Sequence, residues 1–203
     1  MSKKQPRFSV IIPAYNAAGY IARGLNSIEM QTFRDFELIV VCDSCTDETA
    51  AIARNYTDRV LTVDYHLDGL TRNAGIDAAR GEYLLFMDDD DWWMHRDAFR
   101  IIHEALEAAE NPDVLCYGFY WQHNGNRIQH PDDMVIAVWS KAWRRAFVGD
   151  TRFSDRPYWS DVNSHRAMMA KKPEIGYIDD VLYYYNYLRP GSISWRKEQG
   201  EIE

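Results

Sequence analysis

The sequence has few cysteines, no long apolar run, and fewer basic than acidic side chains. Three cysteines in 203 residues are too few for a disulfide framework, which favours a reducing, cytoplasmic setting. No apolar run approaches the length of a membrane span, and the N-terminal residues lead directly into a strand-like segment. We therefore expect neither a transmembrane helix nor a signal peptide. An excess of 31 acidic over 23 basic side chains argues against nucleic acid as the main partner.

What is present is typical of a single globular domain. Apolar residues make up 46% of the chain and charged residues 27%, the proportions of a folded, water-soluble protein. The length allows a sizeable core, and no repeat or low-complexity linker divides the chain. The negative charge remains compatible with a small anionic ligand that binds together with a cation.

The first half of the chain alternates apolar runs with helical periodicity. The apolar runs predict buried strands at residues 8–13, 37–42, 59–63 and 83–87. Helices are predicted at about 19–30, 44–56, 70–79 and 96–110. Ser44 and Asp47 suit a capping box at the second helix, and Gly81 suits a left-handed cap after the third. This alternation predicts an α/β fold, an open, mainly parallel sheet flanked by helices.

The second half shows a different pattern. Residues 114–122 and 127–129 flank Asn124 and Gly125, which predicts a β-hairpin. Residues 138–147 are predicted to form a basic, aromatic helix, and residues 160–170 another helix. An aromatic strand is predicted at 181–187, and the polar residues after it are expected to be mobile.

Four consecutive carboxylates, Asp88, Asp89, Asp90 and Asp91, follow the apolar run at 83–87. Adjacent anions at a strand end raise one another's pKa unless positive charge lies among them. A Mg²⁺ or Mn²⁺ ion, shared with the phosphates of a substrate, would resolve that repulsion. The alternatives are a solvated acidic loop, or acids at the start of the next helix, where the helix dipole favours them.

Three polar loops follow the predicted parallel strands: residues 14–16, Asp43 with Ser44, and the acidic run. The carboxyl ends of parallel strands meet at one edge of a sheet, where such folds bind their ligands. We therefore expect these loops to form one site.

The residues also resemble a known family. The segments that carry the likeness are 8–16, 31–33, 36–41, 72–75, 81–83 and the Asp-x-Asp of Asp88 and Asp90. Their order and spacing resemble those of family 2 glycosyltransferases, inverting enzymes with the GT-A fold, from residue 8 to about residue 194. The resemblance implies a GT-A domain at 1–190, with a nucleotide-sugar half at about 1–112 and an acceptor half at about 113–190. Residues 191–203 would be a polar tail.

The resemblance assigns roles to individual residues. Tyr15 would stack on the base of a nucleotide-diphosphate sugar, most often a uridine derivative, and Asp43 would accept a hydrogen bond from that base. Asp88 would lie near the ribose, Asp90 would bind the divalent metal, Mn²⁺ or Mg²⁺, and Arg72 would approach the phosphates. Pro13 and Asp89 would complete the donor side.

Asp161 falls where the family has its catalytic base, although Ser160 replaces the glutamate that often precedes it. The alternative for Asp161 is an ordinary first-turn carboxylate of a helix. Trp93 and Trp159 flank the predicted metal and base, and are candidates to present a ring face to an acceptor sugar. The acceptor would be a glycan, or a lipid-linked or protein-linked sugar.

Two features depart from the family pattern. Cys42 and Cys45 replace residues of its second-strand loop, and this pair could be read as a redox or zinc motif. We interpret both thiols as small substitutes, because no second pair could close a zinc site. The loop at 64–69 is also shorter than in the family.

One structural alternative and two other functions remain open at this point. The segment 137–147 could lie on a membrane surface and bring the protein to a lipid-linked acceptor, or it could pack beneath the acceptor site. A sugar-1-phosphate nucleotidyltransferase is disfavoured, because the first loop lacks a glycine-rich phosphate-binding sequence with a basic residue. A non-catalytic nucleotide-sugar or glycan-binding module of the same fold is favoured by the altered cysteine loop and opposed by Asp90 and Asp161.

Overall fold

A computed structural model of the chain shows a nine-stranded mixed sheet with helices packed against it. It describes residues 5–122, 126–129, 131, 135–156, 160–187 and 189–200. The strands are Phe8–Ala14 (β1), Phe36–Asp43 (β2), Val60–Val63 (β3), Tyr83–Phe86 (β4), Trp92–Trp93 (β5), Val114–Gln122 (β6), Asn126–Gln129 (β7), Lys141–Arg144 (β8) and Ile175–Tyr185 (β9). The helices are Ile21–Glu29 (α1), Thr49–Ala53 (α2), Asp68–Ala78 (α3), Ala98–Ala108 (α4), Arg145–Val148 (α5), Ser160–Met169 (α6) and Ile193–Glu198 (α7).

The parallel part of the sheet follows the prediction from apolar runs. Its strands lie in the order β3-β2-β1-β4, and every neighbouring pair among them is parallel. All seven residues of β1 are buried, as expected for an inner strand with parallel neighbours on both sides. Pro13 does not end this strand, since β1 continues to Ala14 and Pro13 lies in register with Val41. The predicted α/β fold is confirmed.

The second part of the sheet is mixed. Strand β8 lies antiparallel between β4 and β6, while β9 runs parallel to β6 and carries the short antiparallel strand β5 at its edge. Strands β6 and β7 pair antiparallel, as the hairpin prediction requires. The predicted turn residues, Asn124 and Gly125, lie outside the described residues.

The helix predicted at 138–147 is wrong. The segment forms a 3₁₀ turn, Val138–Ser140, then strand β8, and then the short helix α5. Lys141 and Trp143 are fully buried, because β8 fills the position between β4 and β6 with neighbours on both sides. Sheet pairing therefore overrides the helical pattern, and the segment offers no amphipathic helix for a membrane surface.

Both predicted caps are also wrong. Helix α2 begins at Thr49 with no side-chain cap, and Asp47 instead accepts hydrogen bonds from the amide and hydroxyl of Thr49. The hydroxyl of Ser44 donates to Asp43 and to Asp64, away from the helix. Helix α3 ends on Ala79 in extended backbone, and Gly81 does not adopt a left-handed φ.

Gly81 is needed for a different reason. Its amide donates to the hydroxyl of Ser9 at 2.8 Å. A Cβ at this position would lie 2.4 Å from the amide nitrogen of Ser9 and 2.6 Å from the carbonyl carbon of Phe8. Both atoms belong to the backbone of a buried strand, which has no room to move away.

We expect Gly81→Ala to lower the free energy of unfolding by about 1–3 kcal/mol, the usual cost of overpacking. Urea denaturation of the wild type and the variant measures the difference. Gly19→Ala is the matched control, because a Cβ there would meet nothing within 4 Å. Equal stability of Gly81→Ala and Gly19→Ala would show that the backbone of β1 shifts to accommodate the added methyl group.

The C-terminal part contains more secondary structure than predicted. Strand β9 covers Ile175–Tyr185, whereas the sequence predicted 181–187, and helix α7 lies within the segment expected to be mobile. The division into a donor half and an acceptor half remains a prediction.

Candidate functional site

The candidate site lies at the edge of the sheet where the parallel strands end. The loops after β1, β2 and β3 each contain one non-glycine residue with left-handed backbone: Asn16, Ser44 and His66, with φ of 47°, 51° and 54°. Such backbone is uncommon outside glycine and concentrates at functional sites. The first two loops are joined, because Asn16 Oδ1 accepts a hydrogen bond of 2.9 Å from the Thr46 amide.

Asp43, at the end of β2, organises the third of these loops. The backbone amides of Tyr65, His66 and Leu67 donate to its carboxylate at 2.7, 3.0 and 3.1 Å, and the hydroxyls of Ser44 and Thr71 also donate. Burial raises the pKa of Asp43, but these hydrogen bonds outweigh burial and hold the pKa below its ordinary value. Its acceptor capacity is used within the protein in this conformation, so its contact with a base remains only a prediction.

Tyr15 and Pro13 differ in exposure. The Tyr15 side chain is 57% exposed, and its backbone amide donates to Asp89 Oδ2 at 3.2 Å. Its ring therefore lies at the surface next to the acidic run, where a ligand can reach it. Pro13 is buried within β1 and contributes to the shape of the strand end.

Two arginines lie among the four consecutive carboxylates. Arg72 Nη2 donates to Asp88 Oδ1 at 2.5 Å, and Arg189 Nε donates to Asp90 Oδ2. The Arg189 guanidinium also lies 4.3 Å from the centre of the Tyr20 ring. These two arginines thus partly offset the repulsion among the carboxylates, which the sequence analysis expected a metal ion to relieve.

Asp91 has a structural role at the end of β9. It is fully buried, and its carboxylate accepts hydrogen bonds from the Tyr183 hydroxyl at 2.6 Å and from the Asn186 amide at 2.8 Å. These contacts attach the end of β9 and the segment after it to the acidic run. Asp91 therefore ties the C-terminal segment to the site.

The two arginines do not keep all four carboxylates ionised, because burial raises three of the four pKa values. Burial, together with the charges of Asp68 and Asp90, raises the pKa of Asp88 to about 6, although Arg72 opposes the rise. Burial and the charge of Asp90 raise the pKa of Asp89 to about 8. Burial also raises the pKa of Asp91 well above its ordinary value. Protons therefore occupy part of the acidic run, and a bound cation would favour the ionised carboxylates in their place.

The raised pKa of Asp89 predicts a pH-dependent stability in the presence of a chelator. Between its ordinary pKa of 3.8 and about 8, folded Asp89 holds a proton that the unfolded chain has lost. The free energy of unfolding should therefore fall as pH rises through this window, by at most about 1.4 kcal/mol per pH unit from this group. Asp89→Asn cannot ionise, so its urea-denaturation curves should depend less on pH.

The exposed Asp58→Asn is the control for this measurement, because residue 58 precedes β3 at the opposite edge of the sheet. A pH dependence of Asp89→Asn that equals that of the wild type would contradict the raised pKa.

Arg72 connects the acidic run to the second half of the chain. It is only 6% exposed, and its Nη1 donates to Asp68 while Nη2 donates to Asp88. Its guanidinium carbon lies 5.6 Å from the centre of the Phe153 ring. The negative charges of Asp68, Asp88 and Asp161 all raise the pKa of Arg72 against the effect of burial. In this conformation both Nη atoms of Arg72 donate to carboxylates, and its phosphate contact remains a prediction.

The predicted base and the two tryptophans have different surroundings. Asp161 lies in the first turn of α6, partly exposed, where its Oδ1 accepts a hydrogen bond of 2.8 Å from the Val162 amide. Trp93 is 3% exposed and packs edge-on against Phe99 at 5.0 Å, so it is a core residue and presents no face to an acceptor. Trp159 lies outside the described residues.

Sequence reasoning missed two residues of the site. Arg189 comes 99 positions after Asp90, and no periodicity links them, so only the return of β9 to the sheet edge reveals the pair. Asp68 stands four residues before Arg72 in the same helix, a spacing that places the two side chains together and could have revealed this pair.

The cysteine pair shows no sign of a metal site. The Cys45 thiol donates to the Ala14 carbonyl at 3.4 Å, and both thiols are free. Burial, and then the neighbouring Cys45, raises the pKa of Cys42 to about 12, which makes it a poor nucleophile and metal ligand. In the described part of the chain, no group of three or more His, Cys, Asp or Glu residues has the arrangement of a metal site. Nor does any helix described there combine the length and apolar character needed to cross a bilayer.

Comparison with known proteins identifies relatives of this chain. The chain is 38% identical over 191 residues to the putative glycosyltransferase EpsH of Bacillus subtilis, covering 89% of this chain and 55% of that protein. It is 23% identical over 222 residues to the glycosyltransferase GlyA of Streptococcus pneumoniae, covering 93% of this chain and 31% of that protein. The chain thus spans about a third to just over half of the length of these relatives.

Solved structures share the fold. Residues 1–349 of TarS from S. aureus superpose with a TM-score of 0.76 at 26% identity, covering 90% of this chain and 61% of that one. The same fragment in complex with UDP-GlcNAc gives a TM-score of 0.81 at 24% identity, covering 93% of this chain and 60% of that one. A mannosyltransferase from Pyrobaculum calidifontis, in complex with GDP-Man and Mn²⁺, gives a TM-score of 0.72 at 18% identity, covering 98% of this chain and 62% of that one. The model of one family, Glycosyl transferase family 2, matches residues 9–176. With its alternating strands, its acidic strand end and this match, the chain belongs to glycosyl transferase family 2.

Proposed function

We propose that the protein transfers a sugar, with inversion, from a nucleotide-diphosphate donor to a hydroxyl group of a glycan or glycoconjugate. One observation supports the proposal: Arg72 donates to Asp88 on the acidic run and to Asp68, which also accepts a hydrogen bond from Ser160, the residue before Asp161. The predicted donor side and the predicted base would therefore lie close together. No second function is favoured by a specific observation.

A UDP-sugar is the donor we propose. TarS is named as a poly(ribitol-phosphate) β-N-acetylglucosaminyltransferase and shares 38% identity over 94 residues, which cover 42% of this chain and 16% of TarS. Its structure has been solved in complexes with UDP and with UDP-GlcNAc. By similarity, a hexosyl or N-acetylhexosaminyl group is the one transferred. The acceptor would be a glycan, free or linked to lipid or protein.

The donor would bind between the exposed Tyr15 ring and the loop that Asp43 holds. Tyr15 offers a flat face for a base. Asp43 fixes the backbone of residues 65–67 by accepting hydrogen bonds from their amides. The proposed role of Asp43 is therefore to shape the base site as well as to contact the base.

The acidic run fits a divalent cation. Its donors are carboxylate oxygens, which Mg²⁺ and Mn²⁺ prefer, and a cation would favour the ionised forms of Asp88 and Asp89, whose pKa values burial raises. Asp90 would hold the ion, with Asp88 beside it. Related structures contain GDP-Man with Mn²⁺, and UDP with Mg²⁺. When bound, the cation would neutralise charge on the leaving diphosphate.

Asp161 would act as the general base. Its partly exposed carboxylate lies at the start of α6 and would accept the proton of the acceptor hydroxyl as that oxygen attacks the anomeric carbon. The displacement would occur from the face opposite the diphosphate, which inverts the configuration. We place this reaction in the cytoplasm, with at most peripheral membrane contact.

A panel of nucleotide sugars, each with and without Mn²⁺, tests this function. The melting temperature should rise with the correct donor and Mn²⁺ together, because ligand binding stabilises the folded form. Release of UDP, measured with the donors that bind, then reports hydrolysis or transfer. A rise in melting temperature without any turnover across glycan acceptors would favour a binding module, and the absence of any rise would refute the donor class.

A further inference from the structure

We propose that Asp68 is a positioning residue for the transfer reaction: it orients Arg72 and fixes the first residue of the helix that carries Asp161. This inference rests on the proposed function. It concerns a residue outside the acidic run, at the first position of α3.

One face of helix α3 holds the segment that leads to the base. Asn73 is bonded to the backbone of Phe153 twice, through Nδ2 to the carbonyl at 2.9 Å and through Oδ1 from the amide at 2.8 Å. Asp77 pairs with Arg152 at 2.7 Å. A Cβ at Gly69 would lie 2.3 Å from the Ser154 carbonyl oxygen, so the two backbones are in close contact. These positions recur every three or four residues, which makes this face of α3 a support for the segment that begins at residue 152.

Asp68, the first residue of α3, precedes Gly69 and reaches the site itself. Its Oδ2 accepts hydrogen bonds from Arg72 Nη1 and from the Ser160 hydroxyl, the latter at 3.2 Å. Ser160 is buried and immediately precedes Asp161. A single carboxylate oxygen thus joins the arginine of the donor side to the start of the base helix.

The orientation of Arg72 depends on this contact. Its Nη1 and Nη2 bond to Asp68 and Asp88, while its Nε is buried without a hydrogen-bond partner among the described residues. Two carboxylates on opposite sides hold the planar guanidinium in place. Without Asp68, the buried cation would keep Asp88 and turn toward the remaining acids, which include Asp161.

The alternative is that Asp68 only stabilises α3, since it lies in the first turn, where the helix dipole favours an acid. Its side chain is 45% exposed, so water screens its charge and little stability should depend on it. A positioning role and a stabilising role therefore predict different losses, the first in turnover and the second in melting temperature.

The test compares Asp68→Ala and Asp68→Ser with the double variant Asp68→Ser/Ser160→Glu, which moves the carboxylate to the other end of the contact. Glu104→Gln is the matched control, because Glu104 forms an i,i+4 pair with Arg100 on the exposed face of α4. The turnover number, the KM for the donor, UDP affinity by calorimetry, and melting temperature are measured for each protein.

We expect both single variants to lower kcat by about 10- to 100-fold, the scale of a misplaced catalytic group, with UDP affinity changed less than about threefold. The double variant should recover at least half of that loss on a logarithmic scale, and Glu104→Gln should resemble the wild type.

Three outcomes would overturn this inference with an active wild type. They are an unchanged kcat in Asp68→Ala, a loss confined to melting temperature, and a double variant no better than Asp68→Ser alone. A wild type that neither transfers nor hydrolyses any donor would instead refute the proposed function, and this inference with it.

Discussion

Replacing Asp161 by asparagine is expected to lower kcat for sugar transfer by about 100- to 10,000-fold, the range that a general base contributes. Asparagine has nearly the same shape and keeps an oxygen that can accept the Val162 amide, so α6 should begin as before. What is lost is the carboxylate that would take the proton from the acceptor hydroxyl. Binding of the donor should survive, because the Tyr15 ring, the loop held by Asp43, and the acidic run are unchanged.

Three measurements check this expectation: turnover with a donor and acceptor that the wild type uses, affinity for UDP by calorimetry, and melting temperature. Asp179→Asn is the control, an exposed carboxylate of β9. Near-normal turnover of Asp161→Asn would show that Asp161 is not the general base. Loss of UDP binding together with turnover would show instead that the residue holds the donor.

The second large effect is expected at Asp90. Asp90→Asn should abolish the stimulation of transfer by Mn²⁺ and lower kcat/KM by at least about 100-fold, since a bound cation contributes several kcal/mol to the stabilisation of developing charge. An amide oxygen carries no full charge to hold the ion. Titration with Mn²⁺ in the absence of donor should show the loss of affinity directly.

Arg189→Ala should act in the opposite direction on that titration. Arg189 is bonded to the Asp90 carboxylate, so it competes with any cation that binds there. Its removal should tighten Mn²⁺ binding about fivefold, corresponding to an ion pair of about 1 kcal/mol. For the Asp90 prediction, an Asp90→Asn variant that binds Mn²⁺ as tightly as the wild type would show that Asp90 does not hold the ion.

Asp91→Asn separates these effects from a general disturbance of the acidic run. Asp91 is the next residue in the chain, but its carboxylate is bonded to Tyr183 and Asn186 and does not face the proposed ion. This variant should change stability and keep its response to Mn²⁺. A loss of that response would mean that the packing of β9, rather than the charge of Asp90, decides cation binding.

The local pattern of the chain was sufficient to predict the parallel part of the sheet. Strands buried on both faces give unbroken apolar runs, and the polar residues that end them must lie at one edge when the strands are parallel. The positions of Tyr15, Asp43 and Asp88 at this edge therefore follow from the amino-acid sequence. The exposed ring of Tyr15 agrees with its predicted role, which remains to be tested.

The contacts made by these residues could not be predicted in the same way. Asp43 accepts hydrogen bonds from the three backbone amides of residues 65–67. Nearly every residue type has a backbone amide, so the sequence does not show which amides a carboxylate binds. Trp93 was a reasonable candidate for a sugar platform, but its ring lies in the core because β5 pairs with β9.

Sequence alone predicted the α/β class, the polar loops that follow the parallel strands, and the four acidic residues at one strand end. These features follow from residue type and short-range periodicity. Tertiary structure decided which cations lie among those acids, and it made Lys141–Arg144 a strand where the pattern predicted a helix. The physical reason is the same in both cases: partners distant in the chain supply the hydrogen bonds and charges, and their free energies exceed the local preferences that a sequence displays.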